Sequence, residues 1–144
     1  ESLREHIPTL DVPLIMMKDD PSKMVSLCDA ILCASGTATL VVGLMEKPMV
    51  IMYKMNGFSA WLAKLFVKDT PFFGLINLIL GERAVPELFQ EQASKENLVR
   101  EIERFVDDGK YYRETVDKLK LAKVRLGEKG AIRKVGEILN RYFR

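Results

Sequence analysis

Residues 33–47 read Cys-Ala-Ser-Gly-Thr-Ala-Thr-Leu-Val-Val-Gly-Leu-Met-Glu-Lys and carry a pattern suited to holding an anion. The apolar run Ala30-Ile31-Leu32-Cys33 leads into Ala34-Ser35-Gly36-Thr37 and then a helical stretch. That order describes a strand, a tight turn of small residues and the N-terminus of a helix. A helix N-terminus offers unpaired backbone N–H groups and the positive end of the macrodipole, which suits phosphate. Ser35 and Thr37 add hydroxyl donors, and Gly36 allows a ligand close to the backbone. The same residues also serve as an ordinary N-cap, and both readings stand at this point. Metal chemistry has little to draw on. His6 is the single histidine, and Cys28 and Cys33 are the only cysteines, so neither a zinc site nor a disulfide framework is expected. Two buried thiols in a reducing compartment fit better.

The elements that must position this turn follow from apolar spacing. Val12-Pro13-Leu14-Ile15-Met16-Met17 suits a buried strand, and Asp20-Pro21 suits a helix start. Met24, Val25, Leu27 and Cys28 give a short amphipathic helix. A strand is expected over 29–34, a helix over 37–46 stopped by Pro48, and a third strand over 49–53. Apolar strands alternating with helices predict an α/β fold: a Rossmann-like parallel sheet flanked by helices. Ligands in such sheets sit at the carboxyl ends of the strands, where 35–37 and 54–56 would open together. Residues 75–80, Leu-Ile-Asn-Leu-Ile-Leu, read as a fourth strand or extended run. Residues 84–91 read as a short segment with Pro86 near a helix start. Ser94 caps a helix ending at Gly109. Residues 111–126 and 132–143 are helical by spacing, the first with Val116, Leu119, Ala122 and Leu126 on one side.

At 144 residues and 48% hydrophobic content the chain fits one ordinary domain. Its charge is unevenly spread. Residues 110–144 hold 11 Lys/Arg against 4 Asp/Glu, whereas 1–109 hold 11 against 16. The division is a sheet-bearing body over 1–109 and a basic helical extension over 110–144, which suggests an anionic surface or an acidic partner domain for the extension. Aromatic residues do not interleave with the basic ones, so nucleic acid is not expected as a partner. Phe58, Trp61, Leu62, Leu65 and Phe66 fall at helical spacing with Lys64 and Lys68 beside them. They read either as a helix packed on the sheet or as a membrane-contact patch at the headgroup boundary. No signal peptide or bilayer-spanning run is present. The chain starts abruptly without Met, as an excised part of a longer protein would.

Four separated pieces carry a resemblance: 28–40 (CDAILCASGTATL), 46–56 (EKPMVIMYKMN), 58–68 (FSAWLAKLFVK) and 75–91 (LINLILGERAVPELFQE). In order and spacing they resemble the C-terminal half of the bacterial lipid-A-disaccharide synthases. The resemblance implies one half of a two-domain glycosyltransferase fold, with the C-terminal domain binding the donor UDP-2,3-diacylglucosamine. The sugar passes with inversion to the acceptor 2,3-diacylglucosamine 1-phosphate (lipid X), and UDP leaves. It further implies no cofactor, an own N-terminal domain as partner, and a cytoplasmic protein peripheral on the inner face of the inner membrane.

For individual residues, the resemblance implies a UDP-sugar site of Ser35, Gly36, Thr37, Ala38 and Thr39, with Asn77 and Arg83. Asn77 and Arg83 match polar positions of an Asn-Leu-Leu-x-Gly-Arg-like segment, here with Glu82 inserted. Glu87 and Gln90, with Glu91, either face the donor sugar or cap a short helix. The helix N-terminus would stabilise the departing diphosphate. No catalytic residue is expected in this stretch; the general base belongs to the N-terminal domain. Val41 stands where the family usually has a ribose-holding Glu. A carboxylate accepts two hydrogen bonds from a ribose diol and Val accepts none, a loss of about 1–3 kcal/mol per unpaired group. Two other expectations share the fold. One is another UDP-sugar transferase or epimerase, such as the enzyme that makes peptidoglycan lipid II; the other, favoured by Val41, is a non-catalytic nucleotide-binding module.

Overall fold

The computed structural model describes residues 20–34, 36–54, 72–127 and 130–142. Helix α1 (Pro21–Leu27) starts where Asp20 accepts a 2.9 Å hydrogen bond from the Ser22 N–H, with Pro21 at the first helical position. Strand β1 (Ile31–Ala34) follows, then helix α2 (Thr37–Leu44) and strand β2 (Met49–Tyr53). Helix α3 (Leu75–Leu80), strand β3 (Glu87–Phe89) and a 3-10 turn (Gln90–Gln92) come next. Helices α4 (Lys95–Asp107), α5 (Gly109–Leu126) and α6 (Ala131–Tyr142) complete the chain.

The three strands form one parallel sheet in the order β1-β2-β3, with Cys33 opposite Ile51, Ile51 opposite Glu87 and Tyr53 opposite Phe89. Met49, Val50 and Ile51 are wholly buried, as an apolar run covered on both faces requires. The fold is Rossmann-like α/β. Helix α3 lies against the sheet at Gly74, where an added Cβ would stand 2.5 Å from Ile51 Cδ1. Helix α2 abuts α3, because a Cβ on Gly43 would overlap Ile76. Leu119 and Ala122 of α5 are wholly buried in the same core as Ile76 and Leu80. The Arg125 guanidinium donates to the Ile79 and Leu80 carbonyls, which are exposed acceptors at the C-terminus of α3.

Two segments depart from the expected elements. Residues 75–80 form a helix, not a fourth strand. A six-residue apolar run carries no period of its own. Its burial does: Ile76, Asn77 and Leu80 are buried on one face, and Gly81 at φ 62° closes the helix. Residues 87–89, expected near a helix start, are instead the third strand. Pro86 has no N–H to donate, but its carbonyl accepts from the Ile51 N–H at 2.9 Å and begins the ladder. Gly109 opens α5 and does not close α4; Asp108 caps α5 through the Lys110 and Tyr111 N–H groups. In α5 the buried face is Thr115, Leu119 and Ala122, with Leu126 exposed. The expected strand over 12–17 and helix over 58–68 lie outside the described residues.

Candidate functional site

The carboxyl edge of the sheet is where β1, β2 and β3 release Gly36, Lys54 and Gln90. Gly36 is the N-cap of α2 at φ 115°, a conformation that an L side chain adopts only with strain. Nothing lies within 4 Å of the position a Cβ would take there, so the space above the turn is open. The Thr39 N–H and hydroxyl both donate to the Gly36 carbonyl, at 3.2 and 2.8 Å. Thr39 is fully buried, so its hydroxyl faces the protein. Thr37 and Ala38, in contrast, are exposed, and their N–H groups come before the first intrahelical bond, which Thr39 makes.

Three other helix starts are capped by the protein's own side chains. Asp20 caps α1, Ser94 caps α4 through the Asn97 N–H, and Asp108 caps α5. At α3, Glu87 takes the Phe73 and Gly74 N–H groups at 2.8 and 3.0 Å. Among the described residues, α2 has no side-chain cap. An eight-residue helix with a glycine start has the chemistry to receive an anion on the N–H groups of its first residues.

The expected site residues divide by position. Gly36, Thr37 and Ala38 stand together at the carboxyl edge, and Gln90 follows β3 onto it. Gln90 holds a left-handed backbone at φ 52°, an unusual state for a non-glycine residue. Asn77 and Glu87 are turned inward. The Asn77 carbonyl accepts from the Ala84 and Val85 N–H groups at 2.9 and 3.1 Å. Its amide donates to the Val85 carbonyl and to Glu87 Oε1, at 2.9 and 2.8 Å. Arg83 is exposed on the segment that enters β3, on the amino side of the sheet. Ser35, Phe58, Trp61, Leu62, Leu65 and Phe66 lie outside the described residues. Val41 is 45% exposed on α2.

Sequence reasoning passed over the aromatic group beside this edge. Phe73 and Phe89 stack at 5.2 Å, and the Tyr53 ring meets Phe73 at 5.7 Å. The signal was present as a single phenol ending an otherwise aliphatic strand, Met-Val-Ile-Met-Tyr. Burial and then the charges of Glu87 and Cys33 hold the Tyr53 phenol above its ordinary range. Burial also pushes the Cys33 thiol up. Among the described residues no cluster of His, Cys, Asp and Glu is able to hold a metal ion, and no helix is long and apolar enough to cross a membrane.

Comparison with known proteins agrees with this geometry. The family profile of Lipid-A-disaccharide synthetase matches residues 4–139. The chain is 38% identical over 116 residues to a lipid-A-disaccharide synthase of Geobacter sulfurreducens, covering 81% of this chain and 30% of that protein. It is 32% identical over 134 residues to the synthase of Geobacter metallireducens, covering 93% and 35%. With the synthase of Solibacter usitatus it shares 48% identity over 82 residues, covering 57% and 21%. The chain thus spans about a third of the length of the relatives it matches most fully. The profile match over nearly its whole length, with relatives at 32–38% identity, shows that this chain belongs to the lipid-A-disaccharide synthetase family.

Proposed function

We propose that this chain is the donor-binding part of an inverting glycosyltransferase that forms the lipid A disaccharide. The donor is UDP-2,3-diacylglucosamine and the acceptor is 2,3-diacylglucosamine 1-phosphate. The acceptor hydroxyl oxygen bonds to the anomeric carbon as the bond from that carbon to the diphosphate oxygen breaks. The proton goes to a base in the N-terminal domain of the full-length protein, and UDP leaves with the electron pair. The observation that carries this reading is the N-terminus of α2 behind Gly36, which has no side-chain cap among the described residues. Negative charge grows on the diphosphate oxygen as the bond breaks, and fixed N–H donors stabilise that charge more in the transition state than before it.

The other expected residues take different parts in this reading. Asn77 and Glu87 position the edge from beneath, since their polar atoms are engaged with backbone and with each other. Gln90 faces the donor from the end of β3, and Arg83 supplies positive charge at longer range. The isolated chain is inactive, because the base and the acceptor site belong to the N-terminal domain of the full-length protein. The test is turnover of the two lipid substrates by the full-length protein, read as disaccharide 1-phosphate and UDP formed. Gly36→Ala, which places a side chain at φ 115°, is expected to lower kcat/KM at least tenfold. Unchanged turnover in that variant, or no product from the wild-type protein, contradicts the reading.

A further inference from the structure

The basic extension divides into two helices with different surroundings. Helix α5 belongs to the sheet-bearing body: Leu119 and Ala122 are wholly buried in the shared core, and Lys118 and Lys123 pair with Glu82 and Glu46. Helix α6 has no such cover. Among the described residues no element packs broadly against it, and Val135, Ile138 and Leu139 are 54%, 54% and 49% exposed. At about 100° per residue these three fall in one stripe roughly 100° wide, the width of a helix face that packs on a core. Gly136 borders the same stripe. A glycine weakens a helix interior relative to alanine, and one is kept where another element must come close. Two glycines of the body show that use: a Cβ on Gly43 would stand 2.4 Å from Ile76, and one on Gly74 2.5 Å from Ile51. Gly136 offers the same notch with nothing within 4 Å of it. A close-packed protein surface uses such a notch; fluid lipid tails have no need of it.

Size decides which protein surface covers this face. Helix α6 has 12 residues and is about 18 Å long. Its one apolar stripe is far smaller than the roughly 800 Å² per partner that a standard interface between separate molecules buries. A domain on the same polypeptide needs no such area, because the linkage holds it at high effective concentration. The relatives are about three times as long as the part that this chain matches, so such a domain is available in a protein of their length. We propose that α6 docks by Val135, Gly136, Ile138 and Leu139 on the N-terminal domain of the full-length protein, while α5 stays with the body. The proposal rests on the two-domain part of the reading above and not on the donor site. The joint between the helices suits it. Gly127 and Gly130 stand at φ 76° and 125°, each in open space, so neither ties α6 to the body.

The full-length protein tests this as wild type and as three variants: Ile138→Glu/Leu139→Glu, Gly136→Leu and Val124→Glu. Backbone hydrogen exchange is followed by mass spectrometry, molar mass by light scattering, and lipid binding by pelleting with phosphatidylglycerol vesicles. In the wild type, α6 amides are expected to exchange at least about a hundredfold more slowly than unstructured chain. In the double variant that protection falls at least about tenfold, together with that of one segment of the N-terminal domain. Gly136→Leu favours the helix itself but fills the notch, and it loses the same N-terminal protection. Val124→Glu, at a 76% exposed site on α5, changes neither. Unchanged N-terminal protection in both α6 variants overturns the docking. Lost protection together with a halved molar mass assigns the face to a second copy and also overturns it. Lost vesicle binding with N-terminal protection intact overturns it in favour of lipid. None of these readouts involves UDP, so the donor-site reading stands or falls by its own titration.

Discussion

Asn77 makes four hydrogen bonds from one fully buried amide, which is its whole capacity. It ties α3 to the segment that enters β3, and it hands one N–H to the Glu87 carboxylate. Glu87 collects three N–H donors and, among the described residues, has no Lys or Arg within ion-pair distance. Donors at the start of α3 stabilise the buried charge in place of a cation. Removing Asn77 strands two backbone N–H groups, one carbonyl and part of a carboxylate. Asn77→Ala is therefore expected to cost about 3–5 kcal/mol, read by urea unfolding with an unchanged slope. A loss under about 1 kcal/mol would mean that water or neighbouring residues replace the network, and that Asn77 is free to serve a ligand. Polar residues in the segment 75–91 look alike as letters. Only burial separates the inward pair, Asn77 and Glu87, from the exposed Arg83.

At the scale of elements, helix α5 is held against helices α2, α3 and α4 by its buried face. Leu119 and Ala122 are wholly buried, Arg125 reaches the end of α3, and Lys118 pairs with Glu82 at 3.2 Å. Leu119→Ala is expected to destabilise by about 2–5 kcal/mol. Val124→Ala, at a site 76% exposed on the same helix, stays within about 0.5 kcal/mol. Equal effects at the two positions, followed by thermal or urea unfolding, would show that α5 does not use this face. The elements also show what could be read from residue order. The strand–turn–helix of β1 and α2 was legible because an apolar run stops at small residues and a 3.6-residue pattern begins. Helix α3 was not, since Leu-Ile-Asn-Leu-Ile-Leu satisfies a buried strand equally well until Gly81 turns left-handed. Strand β3 is three residues long, too short for any period, and exists because Ile51–Tyr53 offers it a ladder.

For the whole molecule, α2 and α4 both touch β1 and β2, α5 packs on α2, α3 and α4, and α6 follows it. That last helix, α6, leaves Val135, Ile138 and Leu139 about half exposed. The carboxyl ends of the parallel strands and the N-terminus of α2 meet at one edge, where the proposed donor site lies. The fold class was legible from alternating apolar runs, and the glycine start of α2 from the small residues that follow β1. The aromatic floor was not, because Tyr53, Phe73 and Phe89 are spread along the chain and only the register joins them. The central claim is that the α2 N-terminus seats the diphosphate of a UDP-sugar. Titration of UDP into the isotope-labelled protein, followed by backbone amide shifts, tests it most directly. Saturable shifts are expected, concentrated at Gly36, Thr37, Ala38 and Thr39, with a smaller one at Gln90. Flat spectra at millimolar UDP, or shifts confined to the α4–α5 corner around Phe105 and Tyr111, would contradict it.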